Sequence, residues 1–575
     1  MKNFIISFFL LINITGLAQQ FTTSFEKTKG LQTATYFDCT IYYNALKANY
    51  YTIDIKFFDT TDAGYPLELV IFSADKQFNP IEWKKKNKIV ILINNGIHPG
   101  EPDGIDASMM FVRDLATGTI KAPENVIIAV IPVYNIGGSL NRNSFSRVNQ
   151  DGPESYGFRG NAQNLDLNRD FIKADSKDAR AFTKIFQWVN PDIFIDNHVS
   201  DGADYQHTMT MLTTQHNKLG GEIGFFLHDV FEPALFKSME AKQWAMCPYV
   251  NFEEGDVENG WEAFYDPPRY SSGYAALFQT IAFVPETHML KPFADRVKST
   301  YAFMQTVMEQ ASLYAADIIS KRKASIEAVK KQKIFTIGWQ IDSLKHELIN
   351  FKGYEAANKV SEVTGMQRLY YDHSKPFEKQ VKYFNTFQPA LTIEKPKAYI
   401  IPQGWQNAIE LLKLNGVQLE RIKKDTVINV SYYHIDDYKS ATRPYEKHHF
   451  NYAVKLTEMP GSIRFLKGDY IVYTGQRADR YIIETLEPQA DDSYFHWNFF
   501  DAILQQKEGY SDYRWEDVAS DYLKQHPELR TQLEEKKKTD TAFAASASAQ
   551  LNFVYKNSPY YEPAHLSYPV YRLMQ

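Results

Sequence analysis

Along the first half of the chain, short apolar runs alternate with longer mixed segments, and polar turns containing Gly, Pro, Asn or Asp separate them. Lys88 to Asn94, Asn125 to Val133, Ile193 to Asn197 and Thr280 to Pro285 are rich in Ile, Val and other apolar residues. Each is bounded by turn residues and predicts a buried strand. Asp103 to about Leu115 and Ser176 to Asn190 predict helices, with Ser176 positioned to cap the second. Strands alternating with helices predict an α/β fold with a central mixed, mainly parallel sheet flanked by helices. Residues 20 to 85 read as short β-like runs between polar turns, as in Tyr50 to Phe57. Val297 to Gln332 reads as helical and increasingly charged.

A second compositional unit begins near Phe387. In it Ala398 to Pro402 predicts a strand, Trp405 to Leu414 a helix ended by Gly416, and Gly468 to Thr474 a later strand. The expected organisation is a main domain over 19–330, a helical connector over 331–389 and a C-terminal accessory α/β or α+β domain over 390–575. Asp492 to Asp501 is dense in aromatic residues. A sugar- or peptide-binding surface is one reading of it, and packing of the accessory core is the favoured one. The charge run Glu534 to Lys538 and the small-residue tract Ala542 to Ala549 read as a solvated loop.

Composition narrows the function classes. A chain of 575 residues needs more than one core, and 44% hydrophobic with 23% charged residues excludes wholesale disorder. A net charge of −6 gives no reason to expect a nucleic-acid or anionic-membrane partner, since both normally need a basic surface. Lys2, the apolar run Phe4 to Ile14, and Gly16-Leu17-Ala18 have the layout of a signal peptide over residues 1–18, cleaved near Ala18. The run is short for a membrane span, so the expected protein is exported, periplasmic or extracellular, without a membrane span. Cys39 and Cys247 are the only cysteines and belong to no metal or redox motif; a bridge and two free thiols are both open.

The chemistry gathers at the ends of the predicted strands. His98-Pro-Gly-Glu101 follows the first of them, and an HxxE pair can present an imidazole nitrogen and a carboxylate oxygen to one metal ion. The carboxyl edge of such a sheet is where sites form. His198 follows Ile193 to Asn197 and supplies a third ligand, leaving a fourth position open for water. Asn164-Leu-Asp-Leu-Asn-Arg-Asp170 offers Arg169 and Asn168 to grip a carboxylate, and Asp166 to hold the second nitrogen of a ligating histidine. Glu286, in Val284-Pro-Glu286-Thr-His288, stands at a strand end where a general base belongs.

In order and spacing, HPGE, DLNRD, a strand-borne DNH and a strand-borne ET resemble the zinc carboxypeptidase family, over roughly residues 45 to 320. The resemblance implies one Zn²⁺ ion held by His98, Glu101 and His198. It implies Asn168 and Arg169 as receptors of a substrate's terminal carboxylate, Asp166 as partner of His98, and Glu286 as the base that activates water and later protonates the leaving amine. Arg159, just upstream of DLNR, is the expected oxyanion stabiliser, with Arg147 as runner-up. The family's mobile tyrosine has no clear match; Tyr270 and Tyr274 precede Glu286. Arg269 is a further candidate carboxylate contact. The implied function is a metallocarboxypeptidase that hydrolyses C-terminal peptide bonds of peptides or proteins. Alternatives are a zinc amidase or deacylase, to which the DLNR form points, acting on acylated amino acids or cell-wall peptides, and a non-catalytic binding protein on the same scaffold.

Overall fold

The computed structural model describes residues 21–252 and 257–574; the expected signal peptide lies outside them. Among the described residues no helix is long and apolar enough to cross a membrane.

After a short turn of helix at Ser24–Lys27 come helix α1 (Tyr36–Asn49) and an antiparallel pair, β1 (Ile53–Thr60) and β2 (Pro66–Ser73). Then come β3 (Ile89–Asn94), α2 (Asp103–Thr117), β4 (Val126–Ile131), α3 (Lys177–Val189), β5 (Ile193–Asp196), β6 (His198–Ser200), β7 (Met209–Thr213) and β8 (Cys247–Pro248). After the short β9 (Trp261–Glu262) follow α4 (Ser271–Ala276), β10 (Ile281–His288), α5 (Phe293–Leu313) and α6 (Ala315–Lys331).

The main sheet has nine strands, in the order β1-β2-β4-β3-β5-β10-β7-β8, with β6 beside β10. Its centre, β4-β3-β5-β10, is parallel, and the β1-β2-β4 edge and the β10-β7 pair are antiparallel. Every residue of β3, β4 and β5 is buried. That is why these strands read as continuous apolar runs and not as alternating ones: a sheet covered on both faces buries both sets of side chains. One face packs against α1, α2 and α5, and the other against α3, α4 and the C-terminal part of the chain. Ser176 caps α3, its Oγ accepting from the N–H of Ala179 at 3.0 Å. The mixed α/β architecture is the one expected.

The helix α1 was not expected in a segment read as β-like. Its buried Tyr36, Cys39, Tyr42, Tyr43 and Leu46 follow helical spacing, and Thr35 and Asp38 form a capping box.

The connector expected to be helical over 331–389 is built of strands. These are β11 (Ile334–Ile341), β12 (Glu347–Val360), β13 (Gln367–Phe384) and β14 (Phe387–Glu394). β12 and β13 form a long antiparallel ribbon. Charged residues dilute its pattern, but Phe335 and Ile337, and Ile349 and Phe351, keep a period of two.

Beyond it lie β15 (Ala398–Ile401), α7 (Gln406–Leu414), β16 (Glu420–Arg421), β17 (Thr426–Ser440), β18 (Asn451–Phe465), β19 (Tyr470–Tyr473), α8 (Asp479–Leu486) and β20 (Tyr571–Leu573). The strands of this set form a six-stranded sheet, β16-β19-β15-β20-β17-β18. Its core is not separate. Tyr399, Ile401, Leu411, Tyr481, Tyr494 and Trp497 belong to one buried cluster with Phe182, Phe186, Tyr274 and Phe278 of the main domain. The aromatic stretch at 492–501 is therefore core: Tyr494, Trp497 and Phe500 are fully buried. The charge run at 534–538 is helix, not loop. It lies in Pro527–Thr539, whose Leu529 and Leu533 are buried while the charges face solvent. Cys39 and Cys247 are both buried and free.

Candidate metal centre and substrate cavity

His98 and Glu101 lie on the turn between β3 and α2, at the carboxyl edge of the sheet. The turn fits because two glycines allow close approach. A Cβ on Gly100 would stand 2.5 Å from Nε of Arg147, and one on Gly104 would stand 2.4 Å from Oδ1 of Asn95. His198 and Glu286 come from the neighbouring β6 and β10 and are register partners there. His98, Glu101 and His198 are all buried, and one donor atom from each lies within 4.8 Å of the others.

Carboxylates set both imidazoles. Nε2 of His98 is 2.9 Å from Oδ1 of Asp166, and Nε2 of His198 is 3.0 Å from Oδ2 of Asp196. Each ring thus turns its Nδ1 toward Glu101, at 3.1 Å for His98 and 3.2 Å for His198. Nδ1 of His98 is buried and has no hydrogen-bond partner, because its approach to Glu101 lacks hydrogen-bond geometry. An orphaned inward nitrogen between a second imidazole and a carboxylate fits a divalent cation, and two His with one Glu suit zinc chemically. Burial alone would raise the Glu101 carboxyl, but the charges of Arg147 and His98 hold it well below its ordinary range. His198 is raised despite its burial, chiefly by Asp196 and by its hydrogen bonds.

Glu286 lines the same cavity, about 620 Å³ in volume. Burial pushes its carboxyl up to about 8, with Glu101 and Asp196 adding to the rise and His198 opposing it. Asn168 and Arg169 line the cavity too. The Arg169 guanidinium rests 4.5 Å over the Tyr270 ring, and the nearest carboxylate oxygen, on Asp166, is 4.0 Å from its Nη1. Its planar fork therefore has no bidentate partner of its own.

Both candidate arginines reach the cavity. Arg159 is half-exposed, donates from Nε to Asp166 at 2.9 Å and lies 3.6 Å from Glu101. Arg147 is largely buried and donates directly to Glu101. Of the tyrosines, Tyr270 lines the cavity, joined by Tyr249. Tyr274 is fully buried and donates to Oδ1 of Asn415 at 2.6 Å. Arg269 is not free for a substrate: its Nε lies 2.8 Å from Asp492, and its guanidinium lies over Trp497.

Two contributors escaped the sequence reading. Asp196 stands two residues before His198, a spacing that puts both on one face of an extended chain and was the available signal. Arg296, fully buried on α5, pairs with Asp103 at 2.9 Å and donates to the carbonyls of Asp151, Gly152 and Lys291. It ties the start of α2, just after Glu101, to the loops beside the cavity. No local motif announces a contact so distant in sequence.

No family model matches the chain. Carboxypeptidase 2 of Trichophyton rubrum is 22% identical over 442 residues, covering 72% of this chain and 74% of that protein. Carboxypeptidase 2 of Trichophyton equinum is 22% identical over 463 residues, 76% and 78% of the two chains. The chain resembles the zinc carboxypeptidases. Those relatives are hydrolases, and the match is longer than 19–330, so the likeness runs beyond the main domain. Among solved structures, carboxypeptidase A of Helicoverpa armigera is similar at a TM-score of 0.37 and 12% identity, covering 49% of this chain and 74% of that one. A metallo-carboxypeptidase from Burkholderia cenocepacia is similar at 0.36 and 13%, covering 49% and 70%.

Proposed function

We propose that this chain is an exported zinc-dependent carboxypeptidase that removes residues from the free C-termini of peptides or proteins. The observation that carries this reading is one cavity lined by His98, Glu101, His198, Glu286, Asn168 and Arg169. The first three would hold the ion, and the leader read at residues 1–18 would export the chain. When bound, zinc lowers the pKa of a water toward about 7 and polarises a carbonyl.

The chain's own residues do the rest. Arg169, with Asn168, takes the terminal carboxylate through parallel hydrogen bonds, which sets the register of the scissile bond. Glu286 removes the proton from the attacking water and returns it to the leaving amine. Arg159 presents its guanidinium to the oxygen on which negative charge develops, whereas Arg147 is already engaged by Glu101. Asp166 and Asp196 keep both imidazoles aimed inward.

Peptides with free and with amidated C-termini, with the products weighed by mass spectrometry, test the reading. Stepwise loss of C-terminal residues, abolished by amidation and by chelation, is expected. Cleavage indifferent to amidation would point to the amidase or deacylase instead.

A further inference from the structure

A second cavity, about 410 Å³ in volume, lies at the β8 edge of the main sheet and shares no lining residue with the first. β8, the helix Glu232–Ala241 and the base of the β12–β13 ribbon border it. Phe236, Met246, Cys247, Ile349 and Tyr383 give it apolar walls. A cavity of this size and lining holds a small molecule, and its few polar groups decide which.

Here those groups are acceptors. Glu232, Glu347 and Asn385 line the cavity together with His228. Glu347 lies 2.7 Å from Nε2 of His228, and Nδ2 of Asn385 lies 3.4 Å from the same nitrogen. Oδ1 of Asn385 is buried and has no hydrogen-bond partner. Glu232 accepts from the Thr213 hydroxyl at 2.6 Å, and among the described residues no cationic side chain makes an ion pair with it. Burial pushes its carboxyl up to about 6, with the Thr213 hydrogen bond and His228 opposing the rise, so it still carries its charge at neutral pH. His228 does not neutralise it, because both ring nitrogens are already taken, by Asp229 at 2.6 Å and Glu347 at 2.7 Å.

The remaining charges are farther out. Lys237 and Glu240 are exposed, opposite in sign and screened by water. Lys352 lies 4.0 Å from Glu378. Among the described residues only His98, Glu101 and His198 bring three donor atoms close enough for one metal ion, so the cation that suits this cavity has a body of its own. An ammonium brings three N–H donors to the free acceptors, and hydrocarbon attached to it meets the apolar walls.

We propose that this cavity is a second ligand site, for a free small primary amine on an apolar body, with Glu232 and Glu347 receiving the ammonium. It stands apart from the metal centre and does not rest on the carboxypeptidase reading.

The test is calorimetric binding of tryptamine to the zinc-loaded full chain, beside tryptophol and indole-3-propionate, which keep the indole body and replace the ammonium by a hydroxyl or a carboxylate. Tryptamine is expected to bind about 10- to 100-fold more tightly than tryptophol, the scale of hydrogen bonds to a charged group, and indole-3-propionate more weakly still. Glu232→Gln should remove most of that advantage and leave tryptophol unchanged. Glu347→Gln, at a half-exposed position, should act in the same direction and covers the case in which the first variant fails to fold. N-acetyl-Gly-Lys-Gly amide, which offers the amine from a chain, should bind more weakly than tryptamine; tighter binding would overturn the assignment to a free amine. Tryptophol binding as tightly as tryptamine overturns the proposal, since the carboxylates then select nothing. So does a tryptamine affinity that neither variant changes, which places the amine elsewhere, and so does the absence of tryptamine binding.

Discussion

At the scale of single residues, the proposed centre is made of pairs in which a carboxylate holds a candidate ligand, as Asp166 holds His98 and Asp196 holds His198. Asp196 is fully buried; its Oδ2 lies 3.0 Å from Nε2 of His198 and leaves Nδ1 turned toward Glu101. Asp196→Asn should weaken metal affinity by about 10- to 100-fold, read by competition with a chelator of known affinity; unchanged affinity would remove Asp196 from the site. Glu286 is the complementary case. Without a cation, burial pushes its carboxyl up to about 8, and it would be largely protonated at neutral pH. A nearby divalent charge favours the ionised form and restores a base. Glu286→Gln keeps the shape and cannot take a proton. It should retain the metal, measured by elemental analysis, and lose about 10³-fold or more in kcat, on the scale of removing an essential base. A turnover close to wild type would dismiss Glu286 from that role.

At the scale of elements, the strands that deliver the site were legible because burial on both faces leaves an uninterrupted apolar signature, as in Ile89–Asn94 and Ile193–Asp196. His98, Glu101 and His198 could be gathered because they follow such strands, and Glu286 because it lies among the last residues of one, β10. The ribbon β12–β13 and the helix at 527–539 were missed because their buried residues are sparse and solvent-facing charges dominate the window. Arg296 and Asp196 were missed because their value is in partners, which a linear pattern does not show. The first turn of α3 carries another such pairing. Asp178 is buried beside Asp62, accepting from the Asp62 N–H at 3.1 Å. Burial, with the Asp62 carboxylate adding, pushes its carboxyl up to about 7 from an ordinary 3.8. A raised folded value means that the stabilising form is the protonated one. Its contribution is complete below about 3.8 and is lost as pH rises through about 7. Denaturant unfolding at pH 5 and pH 8 should therefore show a stability loss, on the order of a few kcal/mol, that Asp178→Asn diminishes. An equal pH slope in wild type and variant would clear Asp178 of this role.

At the scale of the whole molecule, the C-terminal region is built into the site it follows. The turn between β17 and β18 places Glu446 so that its Oε2 accepts the N–H of Asp166 at 2.8 Å, directly behind His98. Tyr445 in the same turn bears on Arg169 through its hydroxyl. His448 is 2.7 Å from Asp175, and Asp492 holds Arg269. Beneath these polar links the cluster of Phe182, Tyr274 and Phe278 with Tyr481, Tyr494 and Trp497 is one continuous core. Cutting the chain at residue 385 would bare that apolar face, and the hydrophobic term lost is far larger than a domain's net stability. Expressed alone, residues 1–385 should aggregate or bind zinc poorly. A gentler probe keeps the fold: Glu446→Ala in the full chain should shift the unfolding temperature little and raise KM several-fold, since Glu446 braces the backbone that carries Asn168 and Arg169. A fragment 1–385 that is soluble, binds zinc and trims peptides as well as the full chain would show that the region serves some other purpose, such as targeting or binding, and that its contacts with the DLNRD segment are incidental to catalysis.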